Sequence, residues 1–144
     1  MISQEHAPSD THKSLYQLAL AQNGARMAAD VQALALALHE RYSGPTIALV
    51  SFVRAGLPLG VLLRRALVDM GRDARHYGIS IIRDRGIDSV ALEAIIKTHG
   101  AENIVFVDGW TGKGAIQRQL DAAMTDYPGV SPGLTVLSDP ANVA

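Results

Sequence analysis

Asp108 and the glycines that follow it, Gly109, Gly112 and Gly114, form the segment of this chain best suited to chemistry. A carboxylate at the mouth of a glycine-rich turn can hold a ligand hydroxyl or cation, while glycines let the backbone turn tightly and bring its N–H groups close to an anion. The preceding run Ile104-Val105-Phe106-Val107 is continuously apolar and suits a parallel strand covered on both faces. Such strands present their carboxyl ends to ligands, which places Asp108 at a binding edge. The amphipathic stretch from Ala115 onward predicts a helix whose first-turn N–H groups point back at the loop, so the natural guest is a phosphate. Arg54-Ala55-Gly56 follows a second apolar run, Thr46 to Val53, and parallel strands would bring it to the same edge of the sheet as Asp108.

The elements that must position these residues are legible from periodicity and stop signals. Polar residues 1–10 read as a loose arm. A short helix is predicted over Thr11 to Gln22, with Ser9 or Asp10 as N-cap and Asn23-Gly24 as its stop. A second helix carries Met27, Val31, Leu34 and Leu38 on one stripe and ends at Ser43-Gly44-Pro45. After the Thr46 to Val53 strand, Pro58 suits a first helical turn, and Leu59, Leu62, Leu63, Ala66, Leu67 and Met70 supply the core face. Ala74 to Ile82 reads as a further strand interrupted by Gly78, left by Arg83-Asp84-Arg85-Gly86. The next helix starts at an Asp88 N-cap, with Ile87 stapled onto Leu92 and with Ile95, Ile96 and His99 inward. Ile116, Leu120, Ala123, Met124 and Tyr127 mark the helix after the glycine loop, and Leu134 to Leu137 the last strand. Alternating strands and helices with right-handed crossovers predict an α/β fold: a parallel sheet with helices on both faces and an N-terminal helical extension. The expected division is 1–44 for the arm and helices packed on the core and 45–144 for the α/β domain, with further chain expected beyond Ala144.

Composition narrows the functions. Thirteen basic against fourteen acidic residues leave a formal net charge of -1, which gives no bulk attraction for nucleic acid or an anionic membrane. The absence of cysteine removes disulfides, thiolate zinc sites and a cysteine nucleophile within these residues. No apolar run approaches a membrane span, and a cytoplasmic protein is the default expectation. The five histidines have no metal-site spacing.

Common motifs do not match. A P-loop needs a glycine where Val107 stands and Ser or Thr where Gly114 stands, and the glycine spacing also fails the dinucleotide-binding pattern. Ser51 lies between Val50 and Phe52 in an apolar run, not in a nucleophile elbow, and reads as structural.

Three ordered blocks carry a resemblance: Ser51 to Gly56, Tyr77 to Asp88, and Val107 to Ile116. Together they resemble the phosphoribosyltransferase-like domain of bacterial tellurite-resistance and stress gene clusters, a family that also carries the name StiP and the label cysteine protease. The resemblance implies a phosphoribosyltransferase-like, Rossmann-like fold and transfer from phosphoribosyl pyrophosphate or a related ribosyl phosphate, with Mg²⁺ as cofactor. In that reading Asp108 holds the ribose hydroxyls, directly or through Mg²⁺, and Arg54, with Ala55 and Gly56, neutralises pyrophosphate. Gly109, Trp110, Thr111, Gly112, Lys113, Gly114 and Ala115 bind the 5′-phosphate and its surroundings, and Arg83, Asp84 and Arg85 occupy the place of a loop over the substrate. Trp110 is equally suited to stacking on a base or anchoring in the core. The alternative implied is a non-catalytic nucleotide or phosphoribose-binding module, since Gly109 stands where the broader family often has a second acid. The expected partner is a small phosphoribosyl molecule, with a second copy or a further C-terminal domain completing the site.

Overall fold

The computed structural model describes residues 6–82 and 85–144. The chain divides into two compact units, the residues up to Asp30 and Val31–Ala144. Helix α1 runs over Asp10–Arg41 as one element, where the sequence predicts two. Asn23-Gly24 does not stop it. The Asn23 side-chain amide donates to the Ala19 carbonyl, 2.9 Å, and a mid-helix glycine costs only about 1 kcal/mol. The first unit is almost entirely exposed, with Leu15, Tyr16, Leu18 and Leu20 all facing solvent.

The second unit is a layered α/β structure. Its sheet holds β1 (Thr46–Phe52), β2 (Asp73–Ile79), β5 (Ile104–Trp110) and β6 (Leu134–Ser138), all parallel, in the order β2-β1-β5-β6. The central strands β1 and β5 are nearly solid apolar runs, as burial on both faces demands. Their side chains alternate between two cores. Ile47, Leu49, Val105 and Val107 meet helix α2 (Leu57–Asp69) and the buried Val31, Ala35 and Leu38 of α1. Ala48, Val50, Phe52, Ile104 and Phe106 meet α3 (Ser89–His99) and α4 (Ala115–Met124). Helices therefore cover both faces, and the Phe52 and Phe106 rings stack across the central pair at 5.6 Å.

Several boundaries follow local chemistry. Pro58 lies in the first turn of α2, where its missing N–H is not needed. Asp88 caps α3, its carboxylate accepting from the Ala91 N–H at 3.0 Å. The predicted Ala74 to Ile82 strand is broken at Ser80, not at Gly78. There the Ser80 carbonyl accepts from the Asp88 N–H, 2.9 Å, and the chain turns into a short antiparallel pair, β3 (Ile81–Ile82) with β4 (Gly86–Ile87). Helix α4 stops at Met124, before Tyr127, because the chain tightens into turns at Asp126 and Tyr127. Among the described residues no helix is long and apolar enough to cross a membrane.

Candidate functional site

The strand order reverses between β1 and β5. From β1 the chain crosses outward to β2, then returns to the other side of β1 to form β5 and continues outward to β6. In open parallel sheets the loops leaving two such strands diverge to opposite faces and leave a crevice at their carboxyl ends. Here those loops are residues 53–56 and 111–114. A cleft of about 290 Å³ lies there, lined by Ala55, Asp108, Trp110, Thr111, Gly112, Lys113, Ala115 and Ile116.

Close backbone contact seats the first loop against β5. A Cβ on Gly56 would collide with the Val107 carbonyl oxygen and lie 3.1 Å from the Asp108 Cα, so only glycine lets the first loop seat against the end of β5. The converse explains Gly109. A Cβ there would stand 3.1 Å from the Ala55 carbonyl oxygen, so a second acid after Asp108 would be pushed against that backbone. Gly112 and Gly114 have φ of +57° and +75°, the left-handed region that admits glycine without strain.

Asp108 is 7 % exposed. One of its oxygens accepts from the Gly109 N–H at 2.8 Å, and burial raises its pKa above the usual carboxylate range in spite of that hydrogen bond. Trp110 is 61 % exposed, which decides against core anchoring and leaves its indole face available in the cleft. Lys113 is exposed at the rim, and its carbonyl accepts from Arg118 Nη1 at 3.2 Å. Arg54 is exposed on the loop at the same edge as Asp108, beside the cleft-lining Ala55. Arg85 lies exposed in the turn between β3 and β4, whereas Arg83 and Asp84 lie outside the described residues.

Thr111 is placed differently from an anion-binding hydroxyl. It is 6 % exposed, and its Oγ1 donates to Asp139 Oδ1 at 2.7 Å while accepting from the Ala141 N–H at 3.2 Å. Asp139 also accepts from the Val143 and Ala144 N–H groups, and the Thr111 bond leads in holding its carboxyl below the usual range. The segment after β6 is thereby tied to the floor of the cleft. Sequence reasoning missed Asp139. The signal was an Asp-Pro pair just past a strand, a pattern that organises the following N–H groups.

Mg²⁺ prefers several converging oxygen ligands. Among the described residues Asp108 is the single carboxylate lining the cleft, and they hold no group of three or more His, Cys, Asp or Glu able to bind a metal. Among the described residues, the cleft lining does not by itself fit a resident Mg²⁺ site.

Ser51 Oγ and His76 Nε2 make a further polar pair at 2.8 Å, and burial keeps this serine from meeting a substrate. Ser51 Oγ also donates to the Gly56 carbonyl, 3.0 Å, and with the hydroxyl proton so placed the complementary tautomer is the one in which His76 Nε2 donates to Ser51 Oγ.

The fold and cleft define the class: a parallel α/β protein with a ligand cleft where strand order reverses. The chain belongs to the StiP family, whose model, described as tellurite-like stress resistance cysteine protease StiP, matches residues 1–144. It is 55 % identical over 147 residues to the protein named cysteine protease StiP from Acinetobacter baylyi, with all of this chain and 38 % of that relative covered. The chain thus spans well under half the length of the curated relative it matches. These findings support the StiP resemblance and overturn the activity drawn from it. Family and relative are named as a cysteine protease, a hydrolase, so phosphoribosyl transfer, the phosphoribosyl pyrophosphate substrate and the phosphoribose-sensing alternative are withdrawn. The error has a physical root, because an acid-tipped strand with a glycine loop specifies a ligand edge and not a reaction.

Proposed function

We propose that this chain serves a tellurite-like stress response as the cysteine-free part of a StiP-type protease, with the β1/β5 cleft binding the substrate peptide. Family membership supports the activity class, and the composition divides the labour. A cysteine protease needs a thiolate, a base and donors for the oxyanion. The thiolate must come from residues other than these 144, none of which is cysteine. The observation that carries the cleft's role is the convergence of Asp108, the exposed Trp110 and Lys113 at one strand-order reversal. Trp110, Ala55 and Ile116 offer apolar surface to a side chain, Asp108 an acceptor for a peptide N–H, and Lys113 with the α4 N-terminus a donor edge for a carbonyl or acidic group. For the finer fold, strand order and the acid near the end of β5 favour a phosphoribosyltransferase-like arrangement, as a statement of architecture alone.

The test has a cellular and a chemical arm. Disrupting the gene should lower tellurite tolerance; wild type should restore it, and Trp110→Ala or Asp108→Asn should not. The purified chain alone should not hydrolyse a fluorogenic peptide library. Full tolerance from both variants would sink the cleft's role, and hydrolysis by the chain alone would sink the assignment of the nucleophile to other residues.

A further inference from the structure

The Ser51–His76 pair lies outside the cleft lining, yet its hydrogen bonds end on a cleft loop. His76, on the edge strand β2, is hydrogen-bonded through Nε2 to Ser51 Oγ at 2.8 Å, and Ser51 donates to the carbonyl of Gly56. That carbonyl also accepts the Gly60 N–H at 2.9 Å, so the first turn of α2 and the loop before it share one anchor. Gly56 in turn rests on Val107 and Asp108, and the next residue back, Ala55, lines the cleft and stands over Gly109.

Room has been made for this chain of bonds. Gly60 sits inside α2, where glycine costs about 1 kcal/mol relative to alanine. A Cβ at Gly60 would collide with Ser51 Oγ and His76 Nε2. Helix stability has been given up at the one position that admits the pair. Packing alone does not require this, because an apolar residue at 51 and alanine at 60 would serve a simple core.

We propose that Ser51 and His76 are positioning residues of the cleft: their relay holds the Gly56 carbonyl, and with it the Arg54–Gly56 loop, at the spacing from Asp108 and Trp110 that keeps the cleft open. The inference rests on the geometry of the cleft and not on the protease reading, so either can fail without the other.

Two readouts separate positioning from plain stabilisation. The first is amide hydrogen exchange at Gly56 and Leu57, compared with core amides of β1 and β5. The second is acrylamide quenching of Trp110, the chain's only tryptophan and therefore an unambiguous reporter of the cleft. In Ser51→Ala, exchange at Gly56 and Leu57 should rise roughly tenfold more than at core amides, the equivalent of one lost hydrogen bond opening the loop locally. Quenching of Trp110 should change with it. His76→Leu should reproduce the effect, and His76→Gln, which keeps an N–H donor, should restore both readouts toward wild type. Equal acceleration of loop and core amides with unchanged Trp110 quenching would overturn the proposal. So would His76→Gln behaving as His76→Leu. If Ser51→Ala does not fold, the two His76 variants, on a partly exposed edge strand, decide the matter alone.

Discussion

At the scale of single residues, Asp108 is a carboxyl held against its own charge by burial. A carboxyl whose burial raises its pKa binds a proton more readily in the folded than in the unfolded chain. Its contribution therefore favours folding below the ordinary carboxylate range and is lost as pH rises through the raised folded value. Asp108→Asn removes the buried charge and keeps an acceptor for the Gly109 N–H. It should raise stability at neutral pH by about 1 kcal/mol, seen as a Tm increase of roughly 3 °C that shrinks to nothing below about pH 4. His76 has the opposite sign of linkage. Burial first, and the Arg64 charge second, lower its pKa, so the folded chain prefers the neutral ring. That contribution is complete above the ordinary histidine value near 6.5 and is lost as pH falls through the lowered folded value. Thermal melts should show stability declining below about pH 6.5, with the decline flattened in His76→Gln. Asp108 was legible in the sequence because an acid closing an apolar strand is a local pattern. The His76–Ser51 and Thr111–Asp139 bonds were not. Their partners lie on separate strands or loops, and only strand register brings Ser51 level with Gly78 and within reach of His76.

At the scale of elements, helix α1 shows how a local stop signal is overridden. Asn23-Gly24 is a good C-terminal pair in isolation, yet the helix passes through it to Arg41. Nothing lies within 4 Å of a Cβ built on Gly24, so alanine there meets no obstacle. Gly24→Ala should therefore stabilise α1 by about 1 kcal/mol, measured as a rise in helical circular dichroism and in its melting temperature. A fall in helicity would mean that the pair interrupts the helix after all. The strands and helices of Val31–Ala144 were predictable for the converse reason. Apolar runs of strand length, the Pro58 start and the Asp88 cap all act within a few residues, and tertiary packing agrees with them.

At the scale of the whole molecule, burial is distributed unevenly along the chain. Both cores begin at Val31 or later, whereas the helical residues before Asp30 bury almost nothing. Amides of residues 12–28 should exchange with solvent about a hundredfold faster or more than those of β1 and β5, since local fraying exposes them without global unfolding. Comparable protection along the chain would refute that division. Sequence alone determined the α/β class, the order of most elements, the absence of a thiol within these 144 residues and an acid near the carboxyl end of β5, because each depends on residue type or on spacing within one element. That β5 runs on past Asp108 through Gly109 and Trp110, which the sequence assigns to the turn, follows from pairing with β6. Tertiary structure decided the cleft. The reversal of strand order at β1/β5, the seating of Gly56 on Val107, the close approach of the Ala55 carbonyl to Gly109, the exposure of Trp110 and the capture of Thr111 by Asp139 all arise where segments distant in sequence are packed together. No local pattern encodes such contacts, because they depend on the register and layering of the finished sheet.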